Sequence, residues 1–441
     1  MLPQSNPIPT STRKAVIAGI LGNTIEWYDF ALYGHFSLFI GQTFFPKEQP
    51  GLAMLAAFAV FSVSFFMRPL GAIIFSAIGD RHGRKKALSL SMLGMAIPTA
   101  GIGLLPAFAD IGYTATALLV LLRLFQGLSL GGEMGGAVTY VMEHTPERRI
   151  GLASSLIQAS TCVGLLFGTL ISSGISALLT EDQFSEWGWR IPFLLGLLAA
   201  WIGWQIRRAM PESALYELAK SEDRLLRNPI RSLFAWQKRQ IVLGVAVIAP
   251  MTCGFFFAFV YFNSLMIGEL GFPASRALMI TSIGLTLSLT ATLLGGWLAD
   301  RRGYKPVLVL GAGLLLLGVY PLVGLLSGKA GPDPVLPAFF AFSLILGIYT
   351  SAAFAAVAGL FATEVRYSGV SFAVNIASPV FGSTAPLLAA WLIRDSGLVS
   401  GFQVFGGYLI ALSMMAAWAI LQLDRQAFER WGEPRSSGVN A

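Results

Sequence analysis

The chain has 441 residues, of which 55% are apolar and only 12% charged, with a mean hydropathy of +0.68. Soluble globular proteins carry about a quarter charged residues, so this composition excludes that class and defines a polytopic membrane protein. The net charge of +7 does not call for nucleic acid, because basic residues of membrane proteins collect in cytoplasmic loops.

Apolar runs between charged or Pro/Gly-rich breaks predict twelve spans: about 15–44, 52–78, 87–107, 112–142, 150–178, 190–207, 240–268, 274–299, 306–326, 335–362, 369–393 and 401–423. The first is expected to be a retained helix, not a cleaved signal. With both termini cytoplasmic, inner segments hold 23 of the 30 Lys and Arg, and outer segments hold Lys47, Arg190, Arg276, Lys329 and Arg394. Arg68 and Arg123 fall inside spans. That asymmetry sets the orientation. The one long connection, 208–239, separates an N-terminal six-helix half (1–207) from a C-terminal half with a short tail (240–441). Within it, PESALYELAKSEDRLLRN has the spacing of a short amphipathic helix on the inner surface, although a covalent strap between the halves is the favoured reading.

Span 1 contains GNTIEWYDFALYG, Gly22 to Gly34, with two acids in an otherwise apolar segment. At a helical period Asn23, Glu26, Asp29 and Tyr33 share a face. Asp29 lies about 20 Å along the helix at roughly 1.5 Å per residue, near the bilayer midplane. A charge there is costly and marks an ion or substrate path. Arg68 in span 2 is expected at a similar depth, and Arg123 and Glu133 lie inside span 4. Three acids against two arginines leave one carboxylate without a fixed cation, and such a group tends to hold a proton. Asp29 is the first candidate proton carrier, Glu26 the second and Glu133 the third; a static network of all five is the alternative. Arg68 and Arg123 suit a substrate carboxylate or an internal acid, since guanidinium stays charged and binds carboxylates with two hydrogen bonds.

The second half offers neutral and aromatic groups: Phe255 to Phe257, Tyr261, Asn263, Tyr349, Asn375 and Thr384. Tyr261, Asn263 and Asn375, with Asn23 and Tyr33, join the candidate substrate contacts. Aromatic faces suit a quaternary ammonium. Pro379 and Pro386 in span 11 predict a kink. Cys162 and Cys253 lie in spans, and His35, His82 and His144 are scattered without metal-ligand spacing, so no metal site is expected. No phosphate-loop pattern appears, so the energy source is expected to be a proton gradient, with no cofactor.

An internal repeat supports the division. GDRHGRKKAL follows span 2 and ADRRGYKPVL follows span 8, returning D-R-x-G-x-K six spans later. The motif residues Asp80, Arg81, Gly83 and Arg84, and Gly296, Asp300, Arg301 and Gly303, are candidate latches. This pattern resembles the inner-loop motif G-x-x-x-D-R-x-G-R-R/K of the major facilitator superfamily, with Ser76 in place of the first glycine and Tyr304 in place of a basic residue. RLFQGLSLGGE in span 4, whose Arg123, Gly127 and Gly131 give R-x-x-x-G-x-x-x-G, joins EWYDF, FMRPLGA and SEWGWRIPF in resembling the metabolite:proton symporter family of that superfamily. Span 11 with its approach, RYSGVSFAVNIASPVFGSTAPLLAAWLI, is most similar to proline and betaine symporters, although no heptad tail follows span 12. Span 5 lacks the Gly-Pro signature of superfamily antiporters.

The resemblance implies an all-α fold of twelve transmembrane helices in two six-helix halves. It implies a proton-coupled symporter in the bacterial inner membrane, not an enzyme, importing an organic acid or a zwitterion such as proline or betaine by alternating access. A uniporter or exporter without proton coupling is the alternative. The expected partners are the solute, protons and the lipid bilayer, with no nucleic acid, and the expected state is a monomer.

Overall fold

The computed structural model describes residues 10–46, 50–209, 211–223, 225–226, 229–268, 270–272, 274–326 and 335–423. Lys47, Arg224, Arg227, Lys329, Arg425, Arg430 and Arg435, all counted in the charge asymmetry, lie outside them. The described residues form helices and turns with no strand.

The first half consists of α1 (Thr10–His35), α2 (Pro50–His82), α3 (Arg84–Leu104), α4 (Tyr113–His144), α5 (Ile150–Leu178) and α6 (Ile191–Arg208). Two short helices follow in the connection, α7 (Ala214–Ser221) and α8 (Pro229–Trp236). The second half has α9 (Lys238–Phe256), α10 (Ala274–Arg302), α11 (Tyr304–Leu326), α12 (Val335–Thr350), α13 (Ala353–Leu360), α14 (Arg366–Ala377), α15 (Ala385–Ser396) and α16 (Leu398–Leu421). Eleven segments of the described residues are long and apolar enough to cross a membrane. α1, at 26 residues, has spanning length too.

Three expected spans are interrupted. The first breaks at Phe36 and resumes as Ser37–Phe44. The tenth divides at Ser351 and Ala352 into α12 and α13. The eleventh passes from α14 through a π-helical turn, Ser378–Ser383, into α15, where Pro379 and Pro386 were expected to kink it. A second π-helical turn, Phe257–Tyr261, continues α9.

The repeated loops turn as their glycines require. Gly83 has φ +105° and Gly303 has φ +86°, a region that a Cβ disfavours. Gly127 and Gly131 bring the backbones of α2 and α4 together, since a Cβ on Gly127 would lie 2.7 Å from the Cα of Ser64. That close contact fixes Arg68, one helical turn beyond Ser64, against α4. Ser76, the departure from the loop motif, is buried within α2, while the tight approach to the second half is made at Gly79, against the ring of Tyr367.

Candidate functional site

Between the halves lies a small cavity of about 30 Å³. Trp27, Arg68, Gln158 and Thr161 from the first half line it, facing Thr252, Phe255, Phe256 and Ser378 from the second. The rings interlock across the interface. Trp27 lies 5.4 Å from Phe255 and Phe65 lies 5.7 Å from Phe256, both edge-on. The indole N–H of Trp27 has no hydrogen-bond partner among the described residues.

Arg68 is the one charged residue of the cavity lining, and it reaches into both halves. Its Nε donates to Asn375 Oδ1 of α14 at 2.9 Å, and its Nη2 lies 3.6 Å from Glu26 Oε1 of α1. Asn375 in turn donates to the carbonyl of Gly131 at 2.8 Å. One amide thus holds the Arg68 side chain and the α4 backbone together from across the interface.

The other acids are held differently. Asp29 accepts hydrogen bonds from Thr99 at 2.9 Å and Gln126 at 3.1 Å, with Arg123 Nη1 at 3.7 Å. Arg123 also donates to Gln126 and to Ser64 and lies 4.1 Å over the ring of Tyr33. Glu133 is clasped by Arg207, whose Nη1 donates to it at 2.9 Å, and by Ser91 at 2.7 Å. This corrects the charge count from the sequence. Arg207, grouped there with the inner basic cluster, turns back from the end of α6 and is only 1% exposed. The three acids therefore face three arginines, and no excess carboxylate exists among Glu26, Asp29 and Glu133.

Of the expected substrate contacts, Arg68 lines the cavity and Asn375 binds Arg68, while the others are engaged elsewhere. Asn23 donates to Ser160 and Thr161 of α5. Tyr33 lies under Arg123. Tyr261 packs on Phe257 within the second half, and Asn263 accepts from Thr281. Gln126 and Thr99, the polar partners of Asp29, carry no charge and were not among the residues expected from the sequence. An amide three residues after Arg123 inside an apolar span was the available signal.

At the basic end the halves are fastened directly. Asp80 accepts from the backbone and hydroxyl of Ser368, and Arg84 lies 3.3 Å from Asp80. Glu143 binds both Arg84 at 3.2 Å and Arg366 of the second half at 3.1 Å. In the second copy Asp300 accepts from the N–H of Leu152 at 3.1 Å, and Gly296 packs on Gly151. Arg81 and Arg301 make no such tie among the described residues. The Arg81 carbonyl accepts from Tyr216, and Arg301 lies over Trp297 at 3.8 Å. The sequence reading missed Glu143 and Arg366 because both stand at span ends.

The connecting segment closes the same region. Glu212, just before α7, accepts from the backbone N–H of Arg84 at 2.9 Å and of Lys85, capping α3 where Gly83 supplies no side chain. Burial holds its carboxyl above the usual range, against those hydrogen bonds and Arg84, which lower it.

Two bundles of spanning helices closed on an aromatic-lined cavity that holds a buried arginine define a membrane protein of the transporter class. The chain belongs to the Major Facilitator Superfamily, whose family model matches residues 21–373. It is 33% identical over 395 residues to the "Glycine betaine/proline/ectoine/pipecolic acid transporter OusA" of Dickeya dadantii, covering 87% of this chain and 78% of that one. It is 34% identical over 420 residues to the "Inner membrane metabolite transport protein YhjE" of Escherichia coli, covering 93% and 94%. A structure of the proton:xylose symporter XylE bound to a bromodeoxyglucose superposes with a TM-score of 0.75 at 17% identity, over 94% of this chain and 95% of that one, and shares the fold. These relatives bear out the resemblance carried by the loop and span motifs, and they place the chain with transporters, not enzymes.

Proposed function

We propose that the protein is a proton-driven symporter that imports a small carboxylate-bearing solute, with a zwitterion such as glycine betaine or proline favoured over a simple organic acid. The supporting observation is Arg68 in a cavity otherwise walled by aromatic and neutral groups. Its fork and the unpartnered indole N–H of Trp27 suit a carboxylate, and the rings of Trp27, Phe255 and Phe256 suit an onium group. The relatives named for glycine betaine and proline point the same way.

In this reading the basic end is cytoplasmic, as are both termini, and the membrane is the bacterial inner membrane. The chain works as a monomer with no cofactor, drawing on the proton gradient through Asp29, Glu26 or Glu133. The fastened basic end belongs to a state closed toward the cytoplasm, and alternating access requires the Asp80, Arg84, Glu143 and Arg366 ties to part.

The test is uptake of radiolabelled glycine betaine and proline into vesicles carrying the protein, with an imposed inward proton gradient. Accumulation above the outside concentration, lost when the gradient is collapsed, is expected. Transport indifferent to that gradient would favour the second reading, a uniporter or exporter, which the presence of an arginine beside each of the three acids supports.

A further inference from the structure

The buried pairs differ in how completely they are satisfied. Asp29 and Glu133 both accept hydrogen bonds from neighbouring side chains. Glu26 is fully buried, yet neither of its carboxylate oxygens accepts a hydrogen bond among the described residues. Its nearest cation, Arg68, stays 3.6 Å away and directs Nε to Asn375 instead. The charged groups that face Glu26 are Arg68 from α2, Glu133 from α4 and Arg207 from α6, with Asp29 on its own helix. Glu133 and Arg207 bind each other, and Asp29 has Arg123. α5 brings the hydroxyls of Ser160 and Thr161 to the same side of α1, where they engage Asn23.

An ionised carboxylate buried without hydrogen bonds is among the costliest groups a protein can hold, and adding a proton removes the charge. Once Glu26 is neutral, however, Arg68 becomes a buried cation lacking its anion, and it stands in the cavity wall. We propose that Glu26 is the proton-carrying group and that its protonation hands Arg68 to the carboxylate of the solute, so that proton and solute load together.

This inference rests on the symport reading above. The step forms one O–H bond on Glu26 with a proton from the outer side and exchanges one anion for another on Arg68. At the cytoplasmic side the carboxylate leaves, Glu26 releases its proton, and the original pair re-forms. Asn375 keeps Nε tied to the second half throughout, leaving the two terminal nitrogens of the guanidinium for the solute. One proton accompanies each solute, so import of a zwitterion moves one net positive charge.

Infrared difference spectroscopy on the full-length purified protein tests this directly. Lowering the pH is expected to produce a carboxylic-acid C=O band that disappears in E26Q, shifts in E26D, and persists in D29N and E133Q. The E26D arm decides the assignment if E26Q is not recovered folded. A pH-induced band that survives E26Q, or stays in place in E26D, overturns the assignment whatever the solute. Adding glycine betaine or proline at fixed pH is expected to strengthen the band. An unchanged band in protein that binds either solute overturns the exchange on Arg68. Protein that binds neither counts against the substrate reading alone, and the pH arm then decides on Glu26.

Discussion

The guanidinium of Arg207, one residue from the end of α6, closes on the carboxylate of Glu133 in α4 and also donates to the carbonyl of Leu88 at 2.6 Å. The two side chains meet next to Gly22, where a Cβ would lie 2.6 Å from the Arg207 Cζ. α1, α3, α4 and α6 are thus pinned at one point. Replacing Arg207 with Ala strands a buried carboxylate, a loss of about 3–5 kcal/mol. Thermal unfolding in detergent is expected to show it, with Gly22→Val producing a similar drop and the double variant R207Q/E133Q recovering much of the loss.

Gly127 and Gly131 set the separation of α2 and α4. Gly127→Val forces a side chain into the Ser64 backbone and is expected to cost about 1–3 kcal/mol. Because Arg68 lies one turn from that contact, solute binding measured calorimetrically should weaken more than stability alone explains. Gly174→Val, where a Cβ would meet nothing within 4 Å, serves as the control and should leave both unchanged.

Glu143 holds one guanidinium from each half, so its removal releases the basic end. In Glu143→Gln the Arg84 and Arg366 ties lose their charge, and the population should move toward a state open at the basic end. Spin-label distances between the loop after α2 and the loop after α10 are expected to lengthen relative to the wild type. Arg366→Ala should do the same. Unchanged distances in both variants would remove these ties from the latch.

Glu212 supplies a pH dependence outside the spans. Its carboxyl is raised above the ordinary value, chiefly by burial, so its contribution is present below the unfolded-state pKa and is lost as pH rises through the folded-state pKa. Glu212→Gln keeps an acceptor for the N–H groups of Arg84 and Lys85 but cannot ionise. Melting temperatures from about pH 4 to about pH 8 should therefore show the variant gaining on the wild type toward the alkaline end.

The helical spans and the two D-R-x-G turns were legible in the sequence, because each rests on a local rule. Apolar length marks a membrane crossing, and positive φ selects Gly83 and Gly303. Pairing was not legible, because it depends on which helices become neighbours. Arg207 ends an apolar run and so reads as a loop residue, yet its long side chain turns back along α6 to Glu133. Glu143 and Arg366 were passed over for the same reason. The polar partners of Asp29 were missed because Gln126 and Thr99 carry no charge, although they bond it more closely than Arg123 does. Which acid Arg68 meets was left open by depth alone, and in the fold it faces Glu26, one helical turn before Asp29.

The second half meets the cavity with helices that carry surplus residues. Phe256 immediately precedes the π-helical turn at 257–261, and Ser378 opens the one at 378–383. A π-helical turn winds one residue more than an α-helical turn, so the segments it joins are offset by roughly 100° about the helix axis. Passing the surplus along by one position rotates a single residue while the backbone hydrogen bonds on either side persist. Phe256 and Ser378 therefore occupy joints at which the second half could re-aim a side chain toward the solute without unwinding, a freedom that a rigid rocking of two bundles does not supply.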